Sequence, residues 1–253
     1  MGGTGNKWYK LKGDLSIFQK EIVTFFSQGS NVLIFLLLLV FTGLLTWVLP
    51  TEWNVLNYGV SSPVPFFSCL RVVVVFFSPA LTMRSFADEK RTGTIEVLLS
   101  LPISKFRVVF EKFMAYSCIL LLYYVCTAVY PVIMYFLTVP KGSIDYGEII
   151  ASYVGLWLAG CSFVSIGIWA SSLTENVLIA LGYGIILSLT LYYGFDLLFD
   201  MFNSYSVKYA LIKLSAAYHT GAIARGVIDT RDILYFMVVI ALFMYLTVKN
   251  LGR

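Results

Sequence analysis

Charge is what this chain has least of. Asp, Glu, Lys and Arg make up 13% of its 253 residues, where a soluble domain carries about 25%. There is one histidine, His219. With no second imidazole to share a metal or a proton, it is read as structural. The four cysteines, Cys69, Cys118, Cys126 and Cys161, form no C-x-x-C pair. That pattern argues against a disulfide framework or a zinc site, and their apolar surroundings suggest buried packing. No G-x-x-x-x-G-K-[ST] phosphate loop occurs, so any nucleotide chemistry belongs to a separate polypeptide. Internal repeats and low-complexity linkers are also missing, and the inverted repeats of many secondary transporters find no support.

What fills the chain instead is hydrocarbon. Hydrophobic residues reach 59% and the mean hydropathy is +0.83. They gather into six runs, at 32–49, 66–83, 113–137, 149–173, 177–199 and 233–248. Each approaches the ~20 residues a helix needs to cross a ~30 Å hydrocarbon core, twice what a strand needs. Helices also satisfy their own backbone hydrogen bonds in lipid. The expectation is an all-α polytopic membrane protein of one domain, 1–253, with six transmembrane helices. The first run ends in Leu49-Pro50-Thr51-Glu52 without a small-x-small cleavage site, which predicts a retained anchor.

Lys and Arg set the orientation. The N-terminal tail holds Lys7, Lys10, Lys12 and Lys20, and the second loop holds Arg84, Lys90, Arg91, Lys105, Arg107 and Lys112. The first and fourth loops have none and the third only Lys141; the fifth has Lys208, Lys213, Arg225 and Arg231 over a long segment. The positive-inside rule therefore predicts both termini in the cytoplasm. A net charge of +4 in such short segments suits anionic headgroups and does not call for nucleic acid.

Three segments carry more than topology. In 14–28, Leu15, Phe18, Ile22, Phe25 and Phe26 recur at helical spacing, with Asp14, Gln19, Lys20, Glu21 and Thr24 elsewhere. This predicts an interfacial helix ahead of the first span, either a plain surface anchor or a lever on that span. In 84–112, Gly93 breaks the second helix, Thr94 is a candidate N-cap, and Ile95, Leu98 and Leu99 form an apolar face before Pro102 stops the turn. Ser104 is placed to cap the next helix. So short a hairpin has no core of its own, so those three side chains are expected to dock on a partner, with Glu89 and Glu96 at the rim. In 200–232, Val207, Tyr209, Ala210, Leu211, Ile212 and Leu214 are apolar enough to dip back into the bilayer, which needs packing against protein.

The run FADEKRTGTIEVLLSLPIS at 86–104 resembles the signature of ABC-2-type transporter permeases, the membrane subunits of ATP-driven exporters. Phe18-Gln19-Lys20-Glu21-Ile22 with Phe25-Phe26-Ser27, and 215–236 with Arg225-Gly226-Val227-Ile228-Asp229-Thr230-Arg231-Asp232, are similar to the gliding-motility-associated group within that family. The resemblance covers nearly the whole chain in order. It implies an elbow helix at 14–28 (Phe18, Lys20, Glu21, Ile22, Phe25), a coupling helix in 84–112 (Glu89, Gly93, Thr94, Ile95, Glu96, Leu98, Leu99), and outer re-entrant helices. It also implies a dimeric ABC ATPase that carries ATP and Mg, a second permease or auxiliary membrane subunit, and residence in a bacterial inner membrane. No cofactor is expected on this chain. Two positions depart from the family pattern: 28–31 lacks the proline common before the first span, and Arg71 lies in an otherwise apolar helix.

Two other classes compete. An intramembrane enzyme needs a nucleophile with its base, or clustered metal ligands, and an ion-coupled carrier or channel usually needs several intramembrane polar groups. Only Arg71 and Asp196 stand out at depth in the runs. At similar distances from the outer ends of helices two and five, they are candidates for an ion pair, with simple snorkelling of Arg71 as the other reading.

Overall fold

The computed structural model describes residues 16–57, 62–100, 102–138, 146–195, 212–224 and 229–252. All regular structure among them is helical, and six helices are long and apolar enough to span a bilayer. A short helix α1 (Ser16–Ser27) precedes the first span, α2 (Gly29–Trp47). Gln28 separates them with extended backbone, φ −86° and ψ 106°, a break achieved here without proline. The second span, α3 (Val64–Thr82), turns through 83–86 into α4 (Ala87–Arg91). Gly93 then reverses the chain with φ +71°, a left-handed conformation open to glycine at little cost. The short helix α5 (Thr94–Ser100) follows.

Ser104 caps the third span as expected, its Oγ accepting from Arg107 N at 3.3 Å. That span runs as α6 (Lys105–Thr127) and α7 (Val129–Leu137). The break falls where Pro131 cannot donate to the carbonyl of Thr127. The remaining spans are α8 (Tyr146–Leu173), α9 (Val177–Leu189, ending in a π turn at Thr190–Gly194) and α11 (Thr230–Asn250). Between the last two lies α10 (Ala216–Ala224). At nine residues it is ~14 Å long, too short to cross.

The fourth span is the hub, with α3, α6, α9, α10 and α11 packed on it. Lipid offers no hydrophobic drive for this, so close approach over small residues does the work. A Cβ on Gly184 would lie 2.8 Å from Pro79 Cβ, one on Gly155 2.9 Å from Ile223 Cγ2, and one on Gly167 would strike Thr82 Oγ1. The third span joins the first and second through rings: Tyr123 lies 4.7 Å from Phe77 and 5.8 Å from Phe35, and its hydroxyl bonds Thr42 Oγ1 at 2.7 Å. The first, fifth and sixth spans are the least covered by protein. Of the four free cysteines only Cys69 and Cys161 are buried; Cys118 and Cys126 are exposed on the outside of the bundle, against expectation. An apolar run does not distinguish core from lipid, because both are apolar solvents.

Candidate functional site

The site lies where the 84–112 hairpin meets α1. The buried face of α1 is Ile17, Glu21 and Phe25, one residue every four. This differs from the expected stripe: Phe18 and Ile22 are half-buried, Phe26 is exposed, and Leu15 lies outside the described residues. A carboxylate in that stripe is costly unless something charged meets it. What meets it is Lys112, near the start of the third span and fully buried. Its Nζ donates to Glu21 Oε1 at 2.6 Å, to the Ser85 carbonyl at 2.7 Å and to Glu89 Oε1 at 3.0 Å. An ammonium has three N–H donors, and all three are used. Tyr116, one turn further along α6, donates to the other oxygen of Glu21 at 2.8 Å, and the Phe86 ring sits 4.8 Å from the Lys112 nitrogen. Lys20 adds a second, more exposed cation to Glu89 at 3.2 Å.

The neighbouring residue grips the same helix from its end. Glu111 Oε2 accepts from the backbone N–H groups of Ile17 and Phe18 at 3.1 and 3.3 Å. These are among the orphan donors that open any helix, and negative charge is favoured there. Arg107 holds the other oxygen of Glu111 at 2.8 Å. Glu111 and Lys112 thus bind α1 at its first turn and at its middle.

A second set of bonds ties the hairpin to the fourth and sixth spans. Ser171 Oγ accepts from the N–H groups of Phe86 and Ala87 at 2.9 and 3.0 Å and donates to the Met83 carbonyl at 3.0 Å. It thereby serves the backbone at the turn from α3 into α4. Lys90 Nζ and Asn250 Nδ2 both donate to the Ser172 carbonyl, at 2.5 and 2.6 Å. Arg84 reaches Ser30 at 2.9 Å and Gln28 at 3.4 Å, across the break between α1 and α2.

The coupling residues fall into two groups. Gly93, Thr94, Glu96 and Val97 are exposed, Val97 at 67%. Ile95 and Leu98 instead turn inward, half-buried against the chain's own core, and Leu99 is half-buried. The apolar face expected to dock on a partner is therefore partly satisfied at home. Glu89 is not a rim charge either, since it belongs to the Lys112 cluster. Thr94 begins α5 without capping it; its hydroxyl bonds Thr92 and the Glu89 carbonyl at 2.9 and 3.4 Å.

Arg71 is half-buried and bound to its own helix, to the Phe67 carbonyl at 3.2 Å and Ser68 Oγ at 2.8 Å. Asp196, its candidate partner, lies outside the described residues, as do 200–211 and 225–228 of the outer loop. Within that loop the structure holds a pair that the sequence did not single out. His219 Nδ1 lies 2.6 Å from Asp232 and its Nε2 2.9 Å from the Lys213 carbonyl, with the Tyr235 ring stacked on it at 4.1 Å. This pair ties α10 to the last span. Among the described residues no three of His, Cys, Asp or Glu are placed to hold a metal.

Six spans, an amphipathic entry helix and a hairpin joined to it by buried charge define a multi-pass membrane protein. A family model described as ABC-2 family transporter protein matches residues 15–248. The chain belongs to the ABC-2 transporter family and is a membrane-spanning permease component of an ABC transporter. No curated protein matches it.

Proposed function

We propose that this permease works with a separate ABC ATPase, a dimer that carries ATP and Mg, and converts its nucleotide cycle into export or into mechanical work at a bacterial envelope. The observation that carries the reading is the Lys112 cluster. Through it α1, the end of the second span and the start of the third are bonded to one ammonium, while α5 presents Val97 outward beside them. An ATPase that binds α5 differently in its nucleotide-bound and free states shifts the whole group, because only differential affinity moves a conformational equilibrium. The excess of Lys and Arg in the N-terminal tail and the 84–112 hairpin supports a cytoplasmic position for this end of the bundle and both termini, and the resemblance in sequence supports residence in a bacterial inner membrane.

The poorly covered first, fifth and sixth spans leave room for a second permease or an auxiliary membrane subunit. The link to gliding motility rests on the resemblance at 215–236. The test is affinity purification of the chain from its own cells followed by mass spectrometry. A phosphate-loop ATPase that co-purifies and cross-links to a cysteine at Val97 is the expected result. Recovery of the intact permease with no such ATPase overturns the reading. A deletion strain that glides normally removes the motility link alone.

A further inference from the structure

A large recess lies away from the charge cluster, on the outside of the bundle between α6, α8 and α11. It measures about 450 Å³ and no charged residue lines it. That volume falls within the ~300–1,000 Å³ of small-molecule sites. Along α6 its lining runs from Phe106 to Leu121, ~22 Å at 1.5 Å per residue, which exceeds the ~15 Å depth of one leaflet's hydrocarbon. Trp157 and Cys161 of α8 form its floor, and Met244 and Val248 of α11 its far wall.

The chemistry changes at one end. Phe106 and Phe110, both exposed, stack there with centroids 6.0 Å apart and planes 18° from parallel. Lys105 precedes Phe106 and Lys249 follows Val248, and both lysines are exposed. The Lys105 ammonium sits at the end of α11, 3.8 Å from where a Cβ of Gly252 would stand. Neither lysine pairs with a carboxylate among the described residues, whereas the nearby Arg107 is bound by Glu111. The mouth is therefore cationic, and it lies at the level where the third span enters and the sixth leaves the membrane. A lone apolar groove would take any hydrocarbon. One that ends between two exposed lysines is complementary to a chain whose head is an anion.

We propose that this groove is a binding site for an anionic glycerophospholipid, one acyl chain lying along α6 toward Trp157 and the phosphate held by Lys105 and Lys249. The site depends on the membrane reading of the chain and not on its partnership with an ATPase.

The experiment uses the full chain with Trp8, Trp47, Trp53 and Trp169 changed to Phe, leaving Trp157 as the reporter, with its fold checked by thermal unfolding against the wild type. The protein is reconstituted in phosphatidylcholine vesicles doped with either phosphatidylglycerol or phosphatidylcholine brominated along the acyl chain. Brominated phosphatidylglycerol is expected to quench Trp157 at a mole fraction about thirtyfold lower, the preference that two lysines near a charged lipid supply. In K105Q/K249Q, which alters only exposed side chains, quenching persists and the preference disappears. Equal quenching by the two lipids in the parent protein marks ordinary annular contact and overturns the proposal. So does a preference that survives K105Q/K249Q. Absence of quenching by either lipid means that a protein segment covers the groove, which overturns it too.

Discussion

Lys112 and Glu21, 91 residues apart in sequence, meet at 2.6 Å with both side chains almost wholly out of water. A buried pair of this kind is a weak source of stability, because the cost of stripping water from two charges offsets their attraction. Its value is in specificity: it gives α1 one register against the third span, and Glu111 fixes that register a second time at the first turn. A greasy face alone would let α1 slide, since apolar contacts are not directional.

The first prediction separates these roles. Lys112→Met leaves Glu21 buried without its cation and Glu89 with only the more exposed Lys20, and is expected to cost about 3–5 kcal/mol, as removal of one partner of a buried pair does. Glu21→Gln keeps hydrogen bonding to Tyr116 and Lys112 and is expected to cost less. Combining Lys112→Met with Glu21→Leu and Glu89→Leu, an apolar replacement of the whole set, should recover much of the stability. Thermal unfolding of the purified variants in detergent reads the order. If Lys112→Met is as stable as the wild type, the cluster is not closed to water in the way described.

A second prediction concerns the crossing of the second and fourth spans. Gly167→Ala places a methyl group on Thr82 Oγ1, and overpacking of this kind costs about 1–3 kcal/mol. Thr82→Ala removes the obstructing atom and loses only bonds to its own helix, to the Ser78 and Pro79 carbonyls at 2.9 and 3.4 Å. The double variant is therefore expected to be more stable than Gly167→Ala alone, by unfolding in detergent. Additive losses in the double variant would mean that the two spans do not touch there.

Ser171 carries a third. Ser171→Ala strands the N–H groups of Phe86 and Ala87, each buried. An unmet buried donor costs about 1–3 kcal/mol. Hydrogen exchange at these two amides should quicken relative to the middle of α3, and Ser171→Thr should restore part of the protection. Unchanged exchange in Ser171→Ala would show that another group caps this turn.

Much of this architecture is legible in the sequence, because it is local. Six apolar runs, the helix break at Gly93 and the cap at Ser104 each depend on a few neighbouring residues. The cluster is not local. Glu21 reads as part of a polar face because a pattern count places every carboxylate outside, and only Lys112, on another helix, makes the inside tolerable. Lys112 in turn reads as the last charge of a loop, when it is a fully buried charge of a span. The inward turn of Ile95 and Leu98 is hidden for the same reason, since amphipathicity shows that a face is apolar and not which surface covers it. The His219–Asp232 pair brings together a lone histidine and a helix-start carboxylate 13 residues apart, and nothing in that spacing distinguishes it from chance.

Topology gives the fourth prediction, and the structure chooses its probes. Cysteines at Thr51 and Ser104, in a background with the four native cysteines replaced, should be labelled from opposite sides by an impermeant maleimide, Thr51 from outside and Ser104 only after the membrane is opened. Ser104 is exposed, whereas Ser85 and Ser171, on the same side, are buried and would stay unlabelled from either face. Labelling of Ser104 in intact cells would reverse the orientation and remove the ATPase from the hairpin.

The last prediction sets two adjacent residues against each other. Leu98 packs on the chain's own core, so Leu98→Asp places a charge against apolar neighbours and should destabilise the permease itself, by about 1–3 kcal/mol as a typical damaging substitution does. Val97 points away at 67% exposure, and Val97→Asp should leave unfolding of the isolated permease unchanged. In the complex the order reverses in meaning. Under the proposed coupling, Val97→Asp buries an unpaired charge at the ATPase surface and should cost several kcal/mol of association, with loss of transport-stimulated ATP hydrolysis and no loss of the permease from the membrane. Leu98→Asp should lower both together, in proportion to the folded protein that remains. The decisive readings are the unfolding temperature of each permease alone and the ATPase rate of each complex at matched permease content. A Val97→Asp complex that hydrolyses ATP at the wild-type coupled rate would show that α5 does not carry the contact, and that the hairpin's bonds to α1 serve folding alone.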